Sequence, residues 1–257
     1  MQSLLSDDDR KVYCAPAQDD NINLRQWIDY VNGTTSEDKK HYELMQSEIL
    51  SVLIMLSIIK AIEDQGENKD QVLIHPENFY IVGNMLKNGW SYFIDIIDKG
   101  ETLKVNYVPN PNVDTEAYRY PRILNSQNTI NNSLSYGLGI IFLQLLSKRK
   151  VLPWALYSEQ VGFEWEYVLQ ELQEEGKISS MSYRIVCSCL SPRQRENIVL
   201  AVAEDNAYVR ETFRDNPEIH NWMQLKDELV KSLDHLRRNL ISVADEAHRQ
   251  LTIIDLE

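Results

Sequence analysis

Cysteine is scarce in this chain and basic charge is outnumbered. Three cysteines stand among 257 residues, at Cys14, Cys187 and Cys189. An odd number without framework spacing argues for a reducing compartment and against a disulfide scaffold. The pair at 187 and 189 has no second Cys or His pair beside it, so it is not a four-ligand zinc pattern. Lys and Arg number 26 against 39 Asp and Glu, a formal charge of −13. That balance argues against general nucleic-acid binding, which needs cations to replace the counterions on phosphates. It favours solubility and basic partners. No basic stretch followed by an apolar core opens the chain, so no signal peptide is expected and the cytoplasm is the expected compartment. The longest apolar run, ILSVLIMLSII at 49 to 59, has charges on both flanks. It is about half a membrane span, and it reads as a core helix.

Enzyme motifs are missing too. There is no Gly-x-x-x-x-Gly-Lys-Ser/Thr phosphate loop, no Gly-x-Gly-x-x-Gly, no His-Glu-x-x-His and no Gly-x-Ser-x-Gly. The Asp-Glu-Ala-His at 245 to 248 copies a helicase tetrapeptide, but it falls inside an amphipathic stretch where Ala247 joins the apolar stripe. The five histidines are scattered, and none has a ligand partner at helical spacing. No metal or cofactor is expected.

What remains is an ordinary globular composition, 43% apolar and 25% charged. Residues 1–20 read as a flexible acidic arm. Residues 21–216 hold the domain, and 217–257 an amphipathic helix that packs on it or self-associates. NLRQWIDYV (23 to 31) carries Leu24, Trp27, Ile28 and Val31 at helical spacing. ELMQSEILSVLIMLSIIKAIED (43 to 64) is apolar on nearly every side in its middle, the mark of a helix at the centre of a domain. Short β-like pieces follow between 72 and 107: VLI, FYIV, WSYFIDII and LKVNYV. After a loop rich in Pro and Asn comes a second buried helix, SLSYGLGIIFLQLLSK. EWEYVLQELQEEG, MSYRIVCSCL and SPRQRENIVLAVAED read as three further helices, with Pro192 in the first turn of the last. From 218 the apolar residues Trp222, Leu225, Leu229, Leu233, Leu236, Leu240, Val243, Ala247, Leu251 and Ile254 form one stripe in steps of three and four.

The order of these parts resembles the C-terminal lobe of a protein kinase. PENFYI (76 to 81) stands for the catalytic loop, IIDKG (96 to 100) for Asp-Phe-Gly, YRYPRIL (118 to 124) for the Ala-Pro-Glu region and SLSYGLGIIFLQLL for the buried helix after it. CLSPRQR (189 to 195) matches a Cys-Leu and Pro-x-x-Arg near the lobe's end. The chemistry does not follow. Phosphoryl transfer needs a loop Asp to accept the substrate hydroxyl proton and a Lys to steady the phosphate. Counting back from Asn78, those places hold Leu73 and His75. The aspartate that braces the loop from the buried helix falls at about Leu134. Asp98 keeps a metal-binding carboxylate, but with Lys99 beside it. Only 23 residues precede the first helix, without a glycine-rich loop or a strand lysine.

A kinase C-lobe without its chemistry resembles the KIND (kinase non-catalytic C-lobe domain) family, as in Spire-type actin nucleators. YGLGIIFLQLL (136 to 146) is similar to that family's Tyr-Ser-Leu-Gly helix, and AYRYPRIL (117 to 124) to the region before it. The resemblance implies a mainly α, kinase C-lobe-like domain with one or two short β-hairpins and a long C-terminal helix. It also implies a role in protein recognition, with no catalysis. The Spire version holds a basic formin tail in an acidic groove, which points to actin and cytoskeletal regulation. The counterpart here is SEQVGFEWEYVLQELQEEG (158 to 176), with Glu159, Glu164, Glu166, Glu171, Glu174 and Glu175. Trp154, Phe163, Trp165 and Tyr167 stand among these acids. Acids and aromatics together suit a Lys/Arg-rich segment, by charge steering and cation–π contact. The plainer alternative is a solvated helix face with inward aromatics. Two other readings stay open. One is a nucleotide-binding pseudokinase or atypical kinase completed by another chain, with Asn78 and Asp98 holding magnesium. The other is a helical scaffold dimerising through its tail, so monomer and homodimer are both compatible with the sequence.

Overall fold

The computed structural model describes residues 22–33, 48–81, 103–119, 129–151, 157–158, 162–201, 219 and 221–254. The expected acidic arm at 1–20 lies outside them. The order is strand β1 (Ile22–Asn23), helix α1 (Leu24–Gly33), helix α2 (Glu48–Glu63), a 3-10 turn (Gly66–Gln71) and a second 3-10 turn (Pro76–Asn78). Then come β2 (Phe79–Ile81), β3 (Val105–Tyr107), a turn at Glu116–Tyr118 and helix α3 (Thr129–Ser147). The short pair β4 (Tyr157–Ser158) and β5 (Gly162–Phe163) leads into α4 (Glu164–Glu174), α5 (Ser180–Ala201) and α6 (Trp222–Ile254). The protein is mainly helical with a small antiparallel three-stranded sheet of order β1-β2-β3.

Local chemistry sets the helix ends. Asn23 and Gln26 cap α1 reciprocally: the Asn23 side chain accepts the Gln26 N–H at 2.8 Å, and Gln26 Oε1 accepts the Asn23 N–H at 3.0 Å. Gly176, at φ +68, closes α4, with the Lys177 N–H bonded to Leu172 C=O and the Gly176 N–H to Gln173 C=O. Glu48, in the first turn of α2, reaches across to the start of α5 and accepts bonds from the backbone and hydroxyl of Ser179. One carboxylate thereby sits at the positive ends of two helices.

The core forms where α2 meets α3. Ile49 to Met55 are buried without a break, as are Leu134 to Ser147 on α3. Neither helix offers a polar face, so the other elements must wrap both. Two glycines set how closely they do so. A Cβ on Gly137 would meet Ile74 Cγ2 at 2.7 Å and the Tyr118 carbonyl at 2.8 Å, so the 72–78 loop and the 116–118 turn lie directly on the helix backbone. A Cβ on Gly139 would collide with Cys189 Cβ, where α5 crosses α3. The first half of the tail stripe, Trp222, Leu225, Leu229 and Leu233, is buried, and α6 lies along α2. The Lys226–Glu63 ion pair at 2.6 Å and Lys69 over the Trp222 ring fix its start.

Three expectations are corrected. Val72–Ile74 forms no strand: the Leu73 N–H goes to the Tyr107 hydroxyl at 3.0 Å and its carbonyl to the Asn78 amide, so side chains take the place of a ladder. The β2–β3 hairpin gains a third strand from β1, upstream in the sequence. The helices expected on either side of Pro192 are one helix, with the proline in its interior. A proline deletes one rung of the ladder, the bond to the carbonyl four residues back, and that carbonyl has another donor here. WSYFIDII lies outside the described residues.

Gly139→Ala is expected to destabilise the fold by about 1–3 kcal/mol through overpacking, read as a fall in the urea midpoint at constant slope. Because the first atom met is a Cβ, Cys189→Gly should relieve the clash and Cys189→Ala should not.

Candidate functional site

The segment expected to imitate a catalytic loop is tied down by several side-chain and backbone hydrogen bonds. Pro76–Asn78 makes a single 3-10 turn, capped by His75, whose Nδ1 accepts the Glu77 N–H at 3.2 Å. Asn78 is fully buried. Its Nδ2 donates to the Leu73 carbonyl at 2.9 Å and its Oδ1 accepts the Asn110 N–H at 3.0 Å. Its own carbonyl accepts the Val108 N–H at 2.8 Å. One asparagine thus joins the loop, the hairpin and the chain beyond β3. Leu73, in the place of the catalytic base, is half-buried, and Leu134 is buried within α3. Asp98 lies outside the described residues.

Beneath the loop sits a polar cluster that sequence reasoning missed. Arg25, only 8% exposed, donates from Nη2 to the Tyr118 hydroxyl at 2.8 Å and to Gln144 Oε1 at 3.0 Å. Gln144 Nε2 donates onward to the Val151 carbonyl at 2.9 Å. The other terminal nitrogen, Nη1, makes no hydrogen bond among the described residues and lies 3.9 Å from Asp29 Oδ1, an ion pair without hydrogen-bond geometry. Tyr118 in turn meets the His75 ring edge-on, with centroids 4.8 Å apart. Burial pushes the Tyr118 hydroxyl above the usual phenol range. Burial, aided by the nearby Arg25 and Lys150 charges, pulls His75 below 6.5 although Glu77 opposes it. A neutral His75 is also what its cap requires, because a protonated Nδ1 cannot accept. The available signal was Gln144 itself, the one amide inside IIFLQLL.

The acidic helix α4 divides into two sides. Trp165 is fully buried, and its indole N–H meets no acceptor among the described residues. It is a core residue and not a surface contact, which corrects its expected role. Tyr167 is the exposed aromatic, at 56%. Glu171 is half-exposed and paired with Arg149 at 3.4 Å. Glu174 is exposed and accepts from Gln170 at 2.7 Å, and Glu175 pairs with Lys177 at 2.6 Å. Glu166 is half-buried, and its charge acts on the Cys187 thiol. Glu164 opens the helix; Trp154 and Glu159 lie outside the described residues. The outward set is therefore Tyr167, Gln170, Glu171 and Glu174.

Among the described residues no group of three His, Cys, Asp or Glu is arranged to hold an ion. Burial pushes the Cys187 thiol up to about 12 and Cys189 higher still, so neither is a thiolate at neutral pH. No helix among the described residues is long and apolar enough to cross a membrane.

Asn78→Asp replaces the donor facing the Leu73 carbonyl with a buried charge, and should cost more than about 3 kcal/mol in urea unfolding, beyond the effect of Asn78→Ala. The lowered His75 value gives a pH dependence of definite sign. The unfolded chain binds its proton first as pH falls below 6.5, so the His75 contribution is complete above that value and is lost progressively below it, until the folded value is passed. Unfolding midpoints taken down to about pH 5 should fall in the wild type. His75→Asn, which keeps an acceptor for the Glu77 amide and does not titrate, should flatten that part of the profile.

No family model, curated protein or solved structure matches the chain.

Proposed function

We propose that the chain is a non-catalytic, kinase C-lobe-like interaction module that captures a basic segment of a partner protein. The observation that carries the non-catalytic half is the state of Asn78. In the kinase-like order this residue would serve a metal ion, yet it is fully buried, with both side-chain polar atoms engaged by backbone. The family order runs loop, hairpin, Asp-Phe-Gly. Asp98, placed there by the sequence, lies outside the described residues, so the reading rests on Asn78 and Leu73. Leu73 cannot accept a proton. A lobe with these substitutions keeps the scaffold, leaves phosphoryl transfer without a base and withholds the Asn78 amide from a metal.

Capture of a basic segment is supported by the outward side of α4. Tyr167 and Glu171 are one turn apart and face the same way, with Gln170 and Glu174 alongside. An aromatic face beside a carboxylate suits a guanidinium, and the charge of −13 adds steering toward cations. Arg149 already occupies part of Glu171, so a ligand must outcompete it. If the KIND resemblance holds, the partner is a formin-tail-like segment and the setting is cytoplasmic actin regulation. A coiled coil along the whole tail stripe is disfavoured, because Leu225, Leu229 and Leu233 are already buried in this fold.

Two measurements test the proposal. ATP with magnesium should leave the melting temperature unchanged; micromolar binding with phosphoryl transfer would reject the non-catalytic reading. Reversing Glu171, Glu174 and Glu175 to Lys should weaken an arginine-rich peptide by about tenfold or more, chiefly at low salt. Undiminished binding by that variant would rule out α4 as the docking face.

A further inference from the structure

We propose that Pro192 acts as a positioning residue, building on α5 the backbone socket into which the start of the C-terminal helix docks. In an uninterrupted helix the Ser188 carbonyl would accept the N–H of residue 192. Residue 192 is proline and has no N–H. The orphaned carbonyl belongs to a buried residue, with Ser188 only 3% exposed, so it has no recourse to water and requires a protein donor. That donor is the Ile219 N–H, at 3.1 Å.

Ile219 stands three residues before α6 and is itself buried. Two residues on, Asn221 caps α6: its side chain accepts the Gln224 N–H at 2.9 Å, and its carbonyl accepts the Leu225 N–H. The contacts that follow radiate from this point. Trp222 lies under Lys69, Lys226 pairs with Glu63, and Glu228 pairs with Arg184 of α5 at 3.5 Å. The apolar stripe supplies most of the docking free energy, but a stripe in steps of three and four can slide by a turn. A directional bond to one carbonyl cannot, so the Ser188–Ile219 bond selects the register in which Leu225, Leu229 and Leu233 meet α2. Pro192 makes that bond available by withholding the competing donor.

The experiment is amide hydrogen exchange on the full-length chain, comparing wild type with Pro192→Ala and Pro192→Gly. Both variants restore an N–H at position 192. They differ in helix propensity, so they separate the donor from helix stiffness. Ile219 should be protected in the wild type and should exchange at least about tenfold faster in both variants, while the new amide at 192 becomes protected. An Ile219 amide that stays as slow in both variants, or that quickens in Pro192→Gly alone, would overturn the proposal. Alanine is the best helix former, so Pro192→Ala keeps the comparison interpretable should the glycine variant fray.

Discussion

Two helices with no polar face govern this structure. α2 and α3 are buried on all sides through most of their length, and leaving either exposed would forfeit about 25 cal/mol for each Å² of apolar surface. Several other described elements prevent that. α1 and the small sheet cover one region, α5 lies across α3 at Gly139, and the first half of α6 lies along α2. Approach distances are set by what is missing from α3: Gly137 and Gly139 let a loop and a helix come within reach of its backbone.

Close approach brings polar backbone into a dry interior, and the polar residues of the core answer it. Asn78 satisfies the carbonyl of Leu73 and the amide of Asn110. Gln144 satisfies Val151, Glu48 the start of α5, and the Ile219 amide the carbonyl that Pro192 leaves open. Not every buried polar atom is answered among the described residues: the Trp165 indole N–H and the Ser182 and Ser232 hydroxyls find no partner. Arg25 has Nη2 bonded to two partners, while Nη1 lies 3.9 Å from a carboxylate. A desolvated guanidinium is a costly link. Here it joins α1 to α3 and to the turn that carries Tyr118, in a cluster that also sets the environment of His75.

The same accounting bears on function. The 73–78 segment is held by hydrogen bonds to the hairpin and the chain beyond it, and the Asn78 amide holds backbone. The described acidic helix, by contrast, turns one side outward: Tyr167 and Glu174 are exposed, with Glu171 paired with Arg149. The proposed capture of a basic segment draws on that division between a tied scaffold and an exposed charged face.

Much of the architecture was legible from periodicity. α1, α2, α3, α4 and α6 were each visible as an apolar pattern with punctuation, because burial of a helix face leaves a period of 3.6 and burial of all faces leaves an unbroken run. The union of two helices through Pro192 was not legible, because the donor that rescues the Ser188 carbonyl comes from 31 residues away, at Ile219. Nor was the Arg25–Tyr118–Gln144 cluster, whose members are separated by up to 119 positions. The acids and aromatics of α4 were visible as residues, but Trp165 and Tyr167 differ by only two places and point opposite ways. The sequence alone determined which segments must be helical and that Leu73 cannot act as a base, since both follow from side-chain chemistry and spacing. Only the tertiary structure decided that Asn78 is a brace, that Trp165 is core, and where the tail helix docks, because those depend on which distant backbone group each meets.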